Sequence, residues 1–249
     1  MKAFLVPLKR EKLTELVISQ IKNLIFSEGI AVGEKLPSEL ELANQLKISR
    51  SVVREALSSL VQSGLIEIRR GRGAGAYVVN HIHKPLLYST VDLIRSGRLS
   101  VRQFLEARKI IECASLRKVA EKITDEDIDK LEEINNEFLK NIHDGLLSTE
   151  ITSLFHLTLI ELSSNPMMTM MLHSILDLMA EMRFRHPDFV TFRKGVYKAH
   201  VAFIEAIRQK DWDRSELLLM ADIDLSEALE PRKKDQEVLF SPEVLRKKK

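Results

Sequence analysis

The chain is 249 residues long, 45% hydrophobic and 30% charged, with enough apolar material for two modest cores. No run of eighteen apolar residues is present to span a bilayer, and the first ten residues lack the apolar stretch and cleavage site of a secretory signal, so a soluble cytoplasmic protein with no membrane partner is expected. The net charge of +2 divides unevenly: residues 1–80 hold 12 Lys and Arg against 8 Glu, a balance of +4, and the remainder stands at −2, which fits a nucleic-acid reader joined to a near-neutral second domain.

Between Lys12 and Ser27 the residues Leu13, Leu16, Val17, Ile21, Leu24 and Ile25 recur at helical spacing, and Gly29 follows where a left-handed cap would stand; this predicts one amphipathic helix. Ser38 with Glu41 three residues on is a capping box, in which each side chain accepts from the other residue's backbone N–H. It opens a short helix to about Leu46. After a tight turn at Lys47 and Ile48, Ser49 is the expected N-cap of a third helix, with Val53, Ala56, Leu57 and Leu60 as its buried stripe and Gly64 as its end. Two short helices joined in this way make a helix-turn-helix.

On the third helix Arg50 and Arg54 are four apart and share one face, with Ser51 beside them and Val52 expected to point outward. Such a face suits the major groove. Arginine grips guanine O6 and N7 with two hydrogen bonds, serine binds a base or phosphate, and valine touches a thymine methyl. Leu65 to Ile68 and Ala76 to Val79 read as two strands, joined by Arg69-Arg70-Gly71-Arg72-Gly73-Ala74-Gly75. Glycines let a backbone approach sugar-phosphate closely and arginines enter a narrow minor groove, so this hairpin reads as a wing. Each feature alone is what a solvated face or an ordinary turn displays; their ordered combination points to double-stranded DNA. The expected contact set is Ser38, Ser49, Arg50, Ser51, Val52, Arg54, Arg70, Gly71 and Arg72.

The segments Leu36-Pro37-Ser38-Glu39, Ser49-Arg50, Val53-Arg54-Glu55-Ala56-Leu57, Gly64-Leu65 and Arg70-Gly71-Arg72-Gly73 together resemble the GntR family of bacterial transcriptional regulators. The resemblance implies a winged helix-turn-helix in which Arg50 and Arg54 contact an operator and Gly71 enters the minor groove. Leu40 stands where many members carry arginine, so one contact usual in the family is expected to be missing.

The polar run from Asn80 to Pro85 marks a linker, expected over 81–88. Six of the nine glycines fall before residue 80, which leaves too few turn residues for a β-rich second half. Stripes such as Val101, Leu105, Ile110, Ile111 and Leu116, and later Val201, Ile204 and Ile207, predict six or seven helices in an antiparallel bundle, a natural place for a ligand. Thr124 and Asp211 are the expected caps of two of them. Cys113, the only cysteine, sits among apolar neighbours as a packed thiol. The fold class is thus mainly α, with a reader over 1–80, a helical domain over 89–231 and a charged tail over 232–249.

Phe104-Leu105-Glu106-Ala107-Arg108 with Glu112, Phe155-His156 with Asn165-Pro166, Ala199-His200 with Ala206-Ile207, and Asp211 through Leu225 resemble the FadR subgroup, whose sensor is the all-helical FCD domain. Many FCD domains hold a divalent metal on an aspartate, a histidine four residues later and two further histidines. The matching positions are Thr152, His156, His200 and Asp222, so the resemblance implies zinc, nickel or manganese on His156, His200 and Asp222, weakened by a hydroxyl where the first carboxylate would be. Read without the family, the two histidines are bundle residues hydrogen-bonded to their neighbours. Arg108 either pairs with the carboxylate of an acidic metabolite or forms a salt bridge with Glu112 four residues on. Met167, Met168, Met170, Met171, Met179 and Met182 are either core packing or an adaptable surface for an apolar ligand.

The chain therefore reads as a homodimeric regulator on a near-palindromic operator, controlled by a small acidic effector. The alternative is a bundle that only dimerises, or that takes an acyl-type ligand without metal. No glycine-rich cofactor site follows the reader, so no enzymatic activity is expected.

Overall fold

Three helices and a hairpin build the N-terminal part: α1 (Arg10–Phe26), α2 (Glu39–Leu46), α3 (Arg50–Gln62), β1 (Ile66–Arg69) and β2 (Gly75–Val78). The computed structural model describes residues 10–27, 29–145, 150–183 and 189–226; the tail expected over 232–249 lies outside them. The chain forms two compact units, Met1–Pro85 and Leu86–Lys249.

The first unit closes on a core of Val17 and Ile21 from α1, Leu42 and Ala43 from α2, five residues of α3, and Ile66, Ala76 and Val78 from the hairpin. Leu13 and Leu16, expected in the buried stripe of α1, are exposed. The helix instead turns Thr14, Val17 and Ile21 inward, at the three-and-four spacing of a single face. Val52 is also corrected: it is only 5% exposed. It lies one turn before buried Ala56, and because α3 packs on both α1 and α2 its apolar stripe is wide enough to take in Val52. No valine tip is offered to a groove.

Gly64 ends α3 with a left-handed φ of +73°. Its carbonyl accepts from the His81 N–H at 2.9 Å, and a Cβ at this position would lie 2.0 Å from the His81 carbonyl oxygen. Gly64→Ala should therefore destabilise the reader by at least about 2 kcal/mol, from the left-handed strain together with the clash. Chemical denaturation followed by circular dichroism measures it, and an unchanged midpoint would contradict this packing.

The strands pair antiparallel with Ile66 opposite Val78 and Arg69 opposite Gly75. A third segment extends this hairpin: Gly33 N–H donates to the Val78 carbonyl, Val78 N–H to that of Glu34, and Leu36 N–H to that of Ala76. Its short length hid it from a periodicity reading.

The second unit holds seven helices among the described residues: α4 (Lys84–Arg95), α5 (Val101–Ala120), α6 (Asp125–His143), α7 (Glu150–Glu161), α8 (Pro166–Arg183), α9 (Phe189–Arg208) and α10 (Trp212–Leu225). Residues 84–88, expected as linker, are the first turns of α4. Cross-helix pairs fix the directions. Arg117 meets Glu216 and Lys109 meets Asp224, while Arg208 meets Asp129 and Glu132 and His200 meets Asn135; both patterns require antiparallel neighbours. Thr124 caps α6 in a capping box with Asp127, Asp211 accepts from the Arg214 N–H at the start of α10, and Ser100 with Gln103 forms a further box on α5.

Ile110 is 71% exposed and Val201 is also exposed, contrary to the sequence stripes. The inner line of α5 runs through Phe104, Leu105, Arg108, Glu112, Cys113 and Leu116; two charged residues occupy its centre, and Ile110 faces away. Cys113 is buried, and burial first, then nearby Glu216 and Glu112, pushes its thiol up to about 11. Among the described residues no helix is long and apolar enough to cross a membrane.

Candidate functional site

In the first unit the capping box forms as its sequence requires: Ser38 N–H donates to Glu41 Oε2 at 2.7 Å and Glu41 N–H to Ser38 Oγ at 3.2 Å. This fixes the start of α2 and places Glu39 in its exposed first turn. From there the Glu39 carboxylate reaches α3. Arg54 donates to it from Nε at 3.2 Å and from its terminal amino group at 2.9 Å, and Arg50 lies 3.7 Å from the same oxygen. The hydrogen bond from Arg54, with the charges of Arg54 and Arg50, holds the Glu39 carboxyl below its ordinary range against the opposing effect of burial, so the clip stays ionised at neutral pH. Both arginines remain well exposed, at 59% and 64%. A solvent-exposed pair adds little stability; what this one adds is orientation, since a planar guanidinium gripped along one edge presents the other.

Ser49 takes the N-cap position of α3 but makes no capping hydrogen bond with its side chain; its hydroxyl instead pairs with that of Ser51 at 2.9 Å. Arg70, Gly71 and Arg72 are exposed at the hairpin tip. Gly71 and Gly73 have φ of +80° and +87°, and the Ala74 N–H donates to the Gly71 carbonyl at 3.0 Å.

In the second unit a buried file of polar groups crosses the bundle. Arg108 on α5 is fully buried and donates to Glu112 Oε1 from Nε at 2.5 Å. The other Glu112 oxygen faces His156 Nδ1 of α7 at 2.8 Å. His156 Nε2 lies 3.2 Å, and His200 Nε2 of α9 3.7 Å, from Asp222 Oδ2 of α10, and the ligand atoms of these three residues fall within 4.8 Å of one another. His200 Nδ1 is 3.1 Å from Asn135 Oδ1 on α6, and its ring stacks on Phe155 at 3.8 Å. Burial alone would raise the Glu112 carboxyl, but the charges of Arg108 and His156 overcome it and hold it at about 2. Burial likewise opposes ionisation of Asp222, which His200 and His156 nevertheless keep well below the usual carboxylate range.

Two imidazoles and a carboxylate are a donor set for a first-row divalent ion. Glu112 and Asn135 each occupy an Nδ1, which orients both rings and leaves Nε2 as the coordinating atom. Asp222 Oδ1 is buried without a hydrogen-bond partner, as a carboxylate oxygen kept for a ligand would be. Thr152 is buried one turn before His156. The residues present fit a metal.

Residues 13–75 match the bacterial regulatory proteins of the gntR family, and residues 103–225 match the FCD domain. The transcriptional repressor NanR of Citrobacter rodentium is 30% identical over 230 residues, spanning 87% of this chain and 85% of that protein. The chain belongs to the GntR family. NanR of Cronobacter sakazakii is 29% identical over 223 residues. The solved structure of a Streptococcus agalactiae GntR protein aligns with a TM-score of 0.59 and 26% identity, over 86% of this chain and 99% of that one. The protein is thus a GntR-type DNA-binding transcriptional regulator with an FCD effector-binding domain, from a family of regulators and not of enzymes.

Within this GntR chain, Arg108 follows the salt-bridge reading. It forms the salt bridge with Glu112, and one of its terminal amino groups is buried with no hydrogen-bond partner, while the other is 3.4 Å from Met179 Sδ. Met179 is core and Met168 takes a hydrogen bond from Ser115, whereas Met167 is exposed; the side chain of Met182 lies outside those described. Sequence reasoning gave no role to Glu39 or Asn135. Glu39 stood inside the Pro-Ser-Glu signature and its charge next to an arginine-bearing helix was a usable signal. Asn135 is 65 residues from His200 and had none.

Proposed function

We propose that the protein is a cytoplasmic, homodimeric repressor. In this reading Arg50 and Arg54 read bases in the major groove, Ser38, Ser49 and Ser51 bind phosphate or base edges beside them, and Arg70, Gly71 and Arg72 enter the minor groove. The name repressor borne by its relatives favours that sign of control. Two-fold symmetry of the dimer would match a near-palindromic operator.

In the FCD domain His156, His200 and Asp222 hold a divalent metal, zinc, nickel or manganese, and Arg108 receives the carboxylate of a small acidic effector. The observation that carries this is the buried polar file, in which Glu112 sets both Arg108 and His156 from one carboxylate. A bound metal supplies a Lewis-acidic anchor for an oxygen of the effector. The chain itself supplies the orientation, a guanidinium amino group with no other acceptor, and exclusion of water by Phe155, Phe138 and Phe203. Relative to the family pattern the carboxylate has moved from α7 to α10, and two imidazoles plus one carboxylate are retained.

Stripping the full-length protein with a chelator and titrating it with zinc tests the reading. The wild type is expected to take up one ion per chain, and Asp222→Ala and His156→Ala to lose at least about 100-fold in affinity. Citrate, as a carboxylate probe in thermal-shift assays, should stabilise the loaded wild type and not Arg108→Met. A wild type that binds neither zinc nor citrate would instead support a bundle that only dimerises.

A further inference from the structure

We propose that Tyr77 is a positioning residue for DNA binding, which holds the wing in its reading shape before the duplex arrives. Tyr77 lies on β2, behind the tip and apart from the residues assigned to contact. Its hydroxyl donates to the Gly73 carbonyl across the loop at 2.6 Å. The Arg69 guanidinium lies over its ring at 4.1 Å, itself steadied by Glu67 at 2.7 Å, and the Lys35 ammonium is 5.9 Å from the same ring.

The loop has need of such a brace. Gly71 and Gly73 both take left-handed φ, and glycine surrenders more backbone freedom on ordering than any other residue. Nothing lies within 4 Å of a Cβ placed at Gly71, whereas one at Gly73 would meet the Tyr77 hydroxyl at 3.5 Å. The internal ties of the loop beyond the strand register are the Ala74–Gly71 turn and the Tyr77–Gly73 bond. The root is held along the other edge of β2 by backbone bonds, Leu36 N–H to the Ala76 carbonyl at 2.8 Å and Val78 N–H to the Glu34 carbonyl at 2.9 Å. Tyr77 thus ties the glycine-rich tip to the paired strands behind it. A wing ordered in advance loses less entropy on docking, which strengthens specific binding without adding a contact.

The test uses the full-length chain and a duplex selected by it from a random-sequence library. Tyr77→Phe removes only the hydroxyl and keeps the ring under Arg69 and Lys35. It is expected to weaken binding of the selected duplex about three- to tenfold, the range for one modest hydrogen bond. Binding to unselected duplex at the same salt, and the thermal midpoint, should stay unchanged. Amide exchange at Ala74 in the free protein should quicken, and protection of the minor groove should fade while major-groove protection persists. Tyr77→Ala should extend each effect. Unchanged affinity with unchanged Ala74 exchange overturns the proposal, and so does an equal loss on both duplexes or a lowered thermal midpoint in Tyr77→Phe, which would mark a general structural role.

Discussion

Glu112→Ala is expected to lower the stability of the helical domain by about 3–5 kcal/mol, because it strands the Arg108 guanidinium in an apolar interior without its counter-charge. Both side chains are fully buried, so solvent cannot compensate. At about 2–4 °C per kcal/mol for a domain of this size, the melting transition of that domain should fall by roughly 10 °C. The contrast with Arg108→Met combined with Glu112→Leu is informative. Replacing both charges by apolar groups of similar volume removes their desolvation burden along with the attraction, and part of the lost stability should return, less about 1–3 kcal/mol for leaving His156 Nδ1 without its Glu112 partner. A double variant that is stable yet deaf to citrate would mean the pair is kept for ligand recognition. A Glu112→Ala protein melting within about 2 °C of wild type would contradict the burial described.

Arg54→Ala should weaken binding to the selected duplex about five- to 150-fold, the range for loss of one bidentate contact to guanine. Arg54→Lys separates shape from charge: it keeps the cation but not the fork, and should hold unselected duplex as wild type does while losing preference for the selected one. Fluorescence anisotropy at fixed salt measures both, because phosphate attraction alone varies steeply with ionic strength. If Arg54→Ala bound the selected duplex as tightly as wild type, the assignment of α3 as the reading helix through Arg54 would be wrong.

Most of the reader was legible because its signals are local. Ser38 and Glu41 lie three residues apart, Gly64 closes a helix by its own backbone angle, and the alternation around the Arg69–Gly75 tip specifies a hairpin. Val52 was misplaced for an equally local reason: a stripe read from four apolar residues cannot tell how many neighbours a helix packs against. In the helical domain the helices were visible but their inner faces were not always, since apolar spacing cannot show that Arg108 and Glu112 occupy the core line and push Ile110 outward. The candidate ligands His156, His200 and Asp222 came from family likeness, and the structure brings them within reach of one another. What stayed hidden were partners distant in sequence: Glu39 for two arginines, Asn135 for His200.

His156, His200 and Asp222 belong to three different helices, α7, α9 and α10. An ion seated on them would be a cross-link as much as a ligand platform, tying α7 to the consecutive pair α9 and α10. By mass action the resistance of the bundle to opening then climbs with the logarithm of free ion concentration. The domain would then serve as a gauge of metal supply, and an effector joined to that ion would be felt as a change in stiffness before any change in shape.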